Sequence, residues 1–129
     1  MDIFEIRTGK PEELLDVTAQ VERAASRSGR RDGLCFVFVP HTTAGVTINE
    51  NSDPDVKTDI LMTLARCVPE GLPFEHAEGN SPAHVKTSLV GSSVTVVLED
   101  GKLRLGTWQG IMFCEFDGPR TRKVWVKVV

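Results

Sequence analysis

The residues best suited to chemistry fall in fourteen consecutive positions, His41-Thr-Thr-Ala-Gly-Val-Thr-Ile-Asn-Glu-Asn-Ser-Asp-Pro54. An apolar run precedes them and a helical pattern follows. Polar, ionisable groups wedged between two core elements suit a site presented by a rigid scaffold. His41 with Glu50 would serve general acid–base catalysis, because histidine titrates near neutral pH. Nine steps separate the two, roughly 30 Å if the chain is extended. They share a site only if the chain turns between them or if the site spans two subunits. Thr-Thr-Ala-Gly could supply the turn, with Gly45 able to take positive φ. Beyond it, Val46, Ile48 and Glu50 alternate with Thr47, Asn49 and Asn51, as on the two faces of a strand. Asp53-Pro54 also reads as a plain helix start, and Asn49 and Asn51 read equally well as loop residues.

A second polar cluster, 74–84, holds the other two histidines, His76 and His84. Three imidazoles and a carboxylate could build a tetrahedral metal site, with His41, His76 and His84 as ligands of zinc or magnesium. No short ligand spacing such as His-Glu-x-x-His is present, so scattered surface or core histidines fit the pattern as well. There is no phosphate-binding loop and no glycine-rich dinucleotide fingerprint. Anion binding therefore falls to Lys86, Arg120, Arg122 or a helix N-terminus. Trp108 is either a core anchor or the aromatic wall of a pocket.

These groups need a scaffold, and hydrophobic periodicity outlines one. Residues 2–8 read as a strand, and 12–27 as a helix with Leu14, Leu15, Val17 and Val21 in its apolar stripe. Residues 34–39 are apolar on both alternating faces, which predicts a strand covered by a second layer or by another subunit. A strand over 44–50 and a helix over 54–68 follow, the latter with Val56, Ile60 and Leu64 in register. Ser81-Pro82 starts a short helix on which His84 and Ser88 share a face, with Val85 and Leu89 expected to hold the core, and Gly91 as its cap. From residue 92 the pattern becomes β: strands at 94–98, 102–105, 107–116 and 120–129, with hairpin chemistry at Glu99-Asp100-Gly101-Lys102. The fold class is α+β, with two or three helices on mainly antiparallel, sandwich-like sheet.

A chain of 129 residues is long enough for one domain with a real core, 1–129. A net charge of −3 gives no basic signature for nucleic acid. No apolar run approaches membrane-spanning length, so no membrane partner is expected. Cys35, Cys67 and Cys114 show no paired spacing and read as buried reduced thiols. With no leader pattern at the start, a cytoplasmic protein is expected.

Several motifs together carry a family resemblance. They are His-Thr-Thr-Ala (41–44), Asn-Glu-Asn-x-Asp-Pro (49–54), Glu-Gly-Asn-x-x-Ala-His-x-Lys (78–86), Ser-Leu-x-Gly (88–91), Leu-Gly-Thr-Trp-Gln-Gly-Ile (105–111) and Glu-Phe-Asp-Gly-Pro-Arg (115–120). In this order they resemble the YjbQ-like family of small bacterial and archaeal proteins, also described as secondary thiamine-phosphate synthases. The resemblance implies a homotrimer packed around a threefold axis. It also implies a modest activity joining a pyrimidine pyrophosphate to a thiazole phosphate with release of pyrophosphate. The alternative is a trimeric small-molecule or metal binder whose enzymatic activity is incidental. The motif positions carried over are His41, Asn49, Glu50, Asn51, Asp53, His76, Glu78, His84, Lys86, Trp108, Gln109, Glu115, Arg120 and Arg122. Of these, His41, Glu50 and His84 are the catalytic candidates. Asn49, Asn51, Lys86, Trp108, Gln109, Arg120 and Arg122 are the candidates for binding a small phosphorylated substrate.

Overall fold

The computed structural model describes all residues, 1–129, as eight strands and three helices. In chain order they are β1 (Asp2–Arg7), β2 (Glu13–Asp16), α1 (Thr18–Arg27), β3 (Gly33–Phe38), β4 (Ala44–Glu50), α2 (Pro54–Cys67), α3 (Ser81–Val90), β5 (Ser93–Glu99), β6 (Lys102–Leu103), β7 (Gln109–Glu115) and β8 (Thr121–Val128). Every strand pairing is antiparallel. A five-stranded sheet has the order β1-β8-β3-β5-β6, and a three-stranded sheet the order β2-β7-β4. The α+β class expected from the sequence holds.

Side-chain alternation stacks these elements into layers. Cys35, Val37, Val96, Leu98, Val124 and Val126 point inward from the large sheet. They meet Ala44, Val46, Ile111 and Phe113 of the small sheet and Val17, Val21, Ala24 and Ala25 beside them, forming the main core. The other face of the small sheet presents Leu14, Met112 and Cys114. With Ala83 of α3 and Ile60, Leu61 and Leu64 of α2, they form a second core. β7 lies between the two cores, and Gly110 through Glu115 are all buried. The doubly covered strand is thus β7, whereas β3 is covered on one face only. Its outward residues Leu34, Phe36 and Phe38 are each about 40% exposed, beside Val97 of β5.

Several boundaries depart from the sequence expectation. Residues Glu13–Asp16 form a strand instead of the first turn of a helix, because their backbone pairs with Met112–Glu115 of β7. The Asp16 carboxylate then accepts the Thr18 N–H at 3.0 Å, where α1 begins. α3 buries Pro82, Ala83, Lys86 and Thr87, while Val85 and Leu89 face outward. The helix is rotated so that Ala83, Lys86 and Thr87 face inward in their place. Cys67 is exposed at the end of α2, and only Cys35 and Cys114 are buried. Burial pushes the Cys114 thiol up to about 12, so it behaves as an inert apolar group. No helix is long and apolar enough to cross a membrane.

This layering makes a stability prediction. Phe113, fully buried between the sheets, should cost about 3–5 kcal/mol when truncated to alanine. Leu89→Ser on the outward face of α3 should change stability by no more than about 0.5 kcal/mol. Urea unfolding of the two variants checks both values.

Candidate functional site

The site grows from the end of β3. The strand stops at Phe38, and Pro40 has no N–H with which to continue a ladder. The neighbouring strand β8 runs on, leaving the Lys123 N–H without a β3 carbonyl. The His41 side chain takes that place: Nε2 accepts the Lys123 N–H at 2.9 Å. The following turn is held by Arg122, which donates to Thr43 Oγ1 at 2.8 Å. Gly45, expected at a positive-φ turn, lies within β4. What it provides is space, since a Cβ there would sit 2.5 Å from the Gly91 carbonyl oxygen.

Arg122 is itself fixed by Glu115. Glu115 is fully buried on the inner face of β7, and Arg122 is buried on the inner face of β8, so the pair bridges the two sheets. Arg122 Nε donates to Glu115 Oε1 at 2.9 Å, and Nη2 reaches Oε2. The carboxylate also accepts from Thr8 Oγ1 at 2.8 Å and from the Asp117 N–H at 3.1 Å. Burial alone would raise this carboxyl's pKa. The hydrogen bonds from Arg122, the Asp117 N–H and Thr8, with the guanidinium charge, outweigh it and hold Glu115 below the ordinary value.

α3 supplies the second wall. Its C-terminal end is pinned to β4 because the Gly91 carbonyl accepts the Val46 N–H at 3.1 Å. His84, Thr87 and Ser88 of the helix face His41 across a cleft of about 350 Å³, closed below by Gly91 and Ser92. A second hollow of about 340 Å³ opens on the other side of the same two histidines. Glu78, Asn80, Arg120, Arg122 and Pro40–Thr43 line it. The two hollows share His41, Thr42 and His84. One lining residue of each carries a buried side-chain oxygen with no hydrogen-bond partner in the protein, Thr87 Oγ1 in the first and Asn80 Oδ1 in the second. Two other hollows of similar size, beside Arg30 and Lys127 and beside Glu22 and Lys102, contain no histidine.

The remaining expected site residues divide between two ends of the molecule. His76 stays with the cleft: its ring centroid is 5.2 Å from that of His84, edge to face, and Nε2 lies 3.7 Å from Glu78 Oε2. Arg120 lines the cleft, with Nε and Nη2 donating to Asp117 at 2.7 Å. Lys86 is buried, and its ammonium is bound to Glu12 at 2.8 Å, so it is not free to grip a phosphate. Glu50 lies at the far end of β4. The register pairs Ala44 with Glu115 and Glu50 with Gln109, and six strand steps span about 20 Å. The expected meeting of Glu50 with His41 therefore does not occur within one subunit.

Asn49, Asn51, Trp108 and Gln109 share that far end. Asn51 donates to Asp16 at 3.0 Å, Asn49 accepts the Glu50 N–H at 2.7 Å, and Gln109 accepts the Gly106 N–H at 2.7 Å. Trp108 is 63% exposed, so within the chain it is neither a core anchor nor a pocket wall.

One subunit by itself does not assemble the expected three-histidine metal site. No group of three or more His, Cys, Asp or Glu side chains has metal-holding spacing. The Nε2 lone pair of His41 is already spent on the Lys123 N–H. Burial, and then the charge of Arg122, lower the His41 pKa below its ordinary value and outweigh the charge of Glu115, which would raise it. The residues that sequence reasoning left without a role are Thr8, Glu12, Thr43, Asn80 and Thr87. A usable signal existed for one contact. Glu115 and Arg122 each stand in an apolar strand on either side of the Asp117-Gly118-Pro119 turn, a pattern that anticipates a buried pair.

Comparison with known proteins places these features in a family. The family model described as "UPF0047 protein YjbQ-like" matches residues 2–129. The UPF0047 protein MJ1081 of Methanocaldococcus jannaschii is 54% identical, over 98% of this chain and 91% of that protein. The UPF0047 protein YugU of Bacillus subtilis is 50% identical, over 98% and 96%. A crystal structure of a YjbQ/UPF0047-family protein from Clostridium acetobutylicum superposes with a TM-score of 0.97 at 52% identity, covering 100% of both chains. The conserved hypothetical protein TT1486 of Thermus thermophilus superposes with a TM-score of 0.92 at 44% identity, again over 100% of both chains.

Removing one partner of the buried pair, as in Arg122→Leu, should destabilise by about 3–5 kcal/mol in chemical unfolding, since an uncompensated carboxylate remains. The acid response follows from the pKa directions. His41 and Glu115 both titrate lower in the folded state than their ordinary values of 6.5 and 4.5. Above 6.5 neither group penalises folding. As pH falls through 6.5 and then 4.5, the unfolded chain takes up each proton first, so stability declines in two stages. Melting temperatures across this range, compared with those of His41→Gln, should show that the upper stage belongs to His41.

Proposed function

The chain belongs to the YjbQ-like (UPF0047) family, and from that premise we propose that it is a homotrimeric transferase of the thiamine-phosphate synthase type. It would join a pyrimidine pyrophosphate to a thiazole phosphate and release pyrophosphate. One observation carries the reading: His41 and His84 face the same cleft, flanked by Arg120 and Arg122 and by two buried oxygens without partners. A phosphorylated ligand would fit such a cleft, with its anionic part at the half-exposed Arg120 and its other polar groups at the two imidazoles. The trimer is supported by the outward face of β3 and β5. There Leu34, Phe36, Phe38 and Val97 stand exposed in one subunit, and Phe38 packs on Trp125 with ring centroids 5.5 Å apart. A contiguous apolar face of this kind marks an interaction surface. Unpaired Cys35, Cys67 and Cys114 suit a reducing, cytoplasm-like compartment.

A second reading, a binding protein with incidental turnover, is favoured by the internal commitment of the cations. Lys86 is tied to Glu12, and Arg122 to Glu115. The two readings separate in one assay. Purified protein supplied with the pyrimidine pyrophosphate and the thiazole phosphate should release pyrophosphate, and His84→Ala should lower that rate by at least about 10-fold with little change in melting temperature. Binding of both compounds without release would establish the binder. Light scattering should give a three-subunit mass, and a 14.2 kDa monomer at micromolar concentration would remove the trimer.

A further inference from the structure

We propose that His41 works as a fixed neutral hydrogen-bond donor, presenting Nδ1–H to a phosphoryl oxygen in the cleft, and not as a general base or metal ligand. The proposal rests on the reading of the cleft as a phosphorylated-ligand site and assigns one chemical role within it.

The tautomer follows from a single contact. A backbone N–H can only donate, so the Lys123 N–H at 2.9 Å requires a bare lone pair on His41 Nε2. In a neutral imidazole the other nitrogen must then carry the proton. Rotating the ring by 180° would set a carbon against the Lys123 N–H and orphan it, so the orientation is determined. Nδ1 has no partner within the protein and remains accessible, on a ring that lines both hollows. The donor is therefore free to meet a ligand in the cleft.

Its surroundings keep it in that state. Burial and the nearby charge of Arg122 disfavour the imidazolium and together outweigh the Glu115 carboxylate and the Lys123 backbone, which favour it. Protonating Nε2 would also set two N–H groups against each other at Lys123. To act as a base the ring would have to surrender the contact that holds it, because its only lone pair is engaged by the Lys123 N–H. A neutral donor fixed beside guanidinium groups is the arrangement that stabilises charge on an oxyanion without reorganisation. Arg120 lines the same hollow and remains half exposed, so a phosphoryl group seated there would receive charge from Arg120 and direction from His41.

Nitrogen-15 NMR of the imidazoles in the unliganded protein reads the tautomer directly. The proton of His41 should be on Nδ1, and its resonance should move when inorganic pyrophosphate is added. A proton found on Nε2 overturns the proposal. His41→Gln provides the functional arm, because a glutamine side chain places an amide oxygen where Nε2 stood and nothing where Nδ1–H stood. The variant should keep its melting temperature within about 3 °C while binding inorganic pyrophosphate about 10-fold or more weakly by calorimetry. His41→Asn, which cannot reach the Lys123 N–H, should melt lower than His41→Gln. Wild-type affinity in a folded His41→Gln would overturn the donor role while leaving the phosphorylated-ligand reading intact. Wild-type protein that ignores millimolar pyrophosphate would overturn both.

Discussion

The Glu115–Arg122 pair is the interaction on which the cleft depends. It sits between the two sheets, with both side chains withdrawn from water. Desolvating two charges costs several kcal/mol each, and the attraction repays this only when the remaining donors and acceptors are also satisfied. Here Thr8, Thr43 and the Asp117 N–H complete the network. The same guanidinium that neutralises Glu115 holds the turn after His41, and the next residue along β8 supplies the N–H that fixes the imidazole. One buried pair therefore links sheet packing to the direction of a functional side chain. An apolar substitute of equal volume could pack the sheets but would leave the His41–Thr43 turn unheld.

The second constraint is the length of β4. It carries the chain from the histidine end of the sandwich to the Glu50–Trp108 end, and its pairing with β7 lets neither end fold back toward the other. Two polar regions result. One is a walled cleft, in which α3 is pressed against β4 through the gap left by Gly45. The other is open, with an exposed indole and an Asp16–Asn51 hydrogen bond. The Asp16 carboxyl illustrates how polar that end is. Burial would raise its pKa, yet hydrogen bonds from Thr18 and Asn51 and the charge of Lys57 lower it on balance.

Cations near the cleft divide by commitment. Lys86 and Arg122 are tied to buried or half-buried carboxylates and act mainly as structure. Arg120 is held by Asp117 but remains about half exposed at the cleft, so it is the cation best placed to meet an anion. The unsatisfied groups, Thr87 Oγ1 and Asn80 Oδ1, are both uncharged.

Much of the fold could be read from local pattern alone. Alternation over 44–50 and 120–129 and the i, i+4 stripe over 54–68 reappear as β4, β8 and α2, because side-chain period is a property of a few neighbouring residues. The strand end that delivers His41 and the helix that carries His84 were legible for the same reason, as was the clustering of the histidines in two polar stretches. Tertiary structure alone decided which groups meet. Thr8 and Glu115 are 107 positions apart, Lys86 and Glu12 are 74 apart, and His41 and Lys123 are 82 apart. Those pairings depend on strand order and register, which no local period encodes. The same register sent Glu50 away from His41, made a strand of Glu13–Asp16, and turned Val85 and Leu89 outward so that Lys86 and Thr87 could face in. Residue types determined what chemistry was available, and the packing of distant strands determined which nitrogen of His41 was left to perform it.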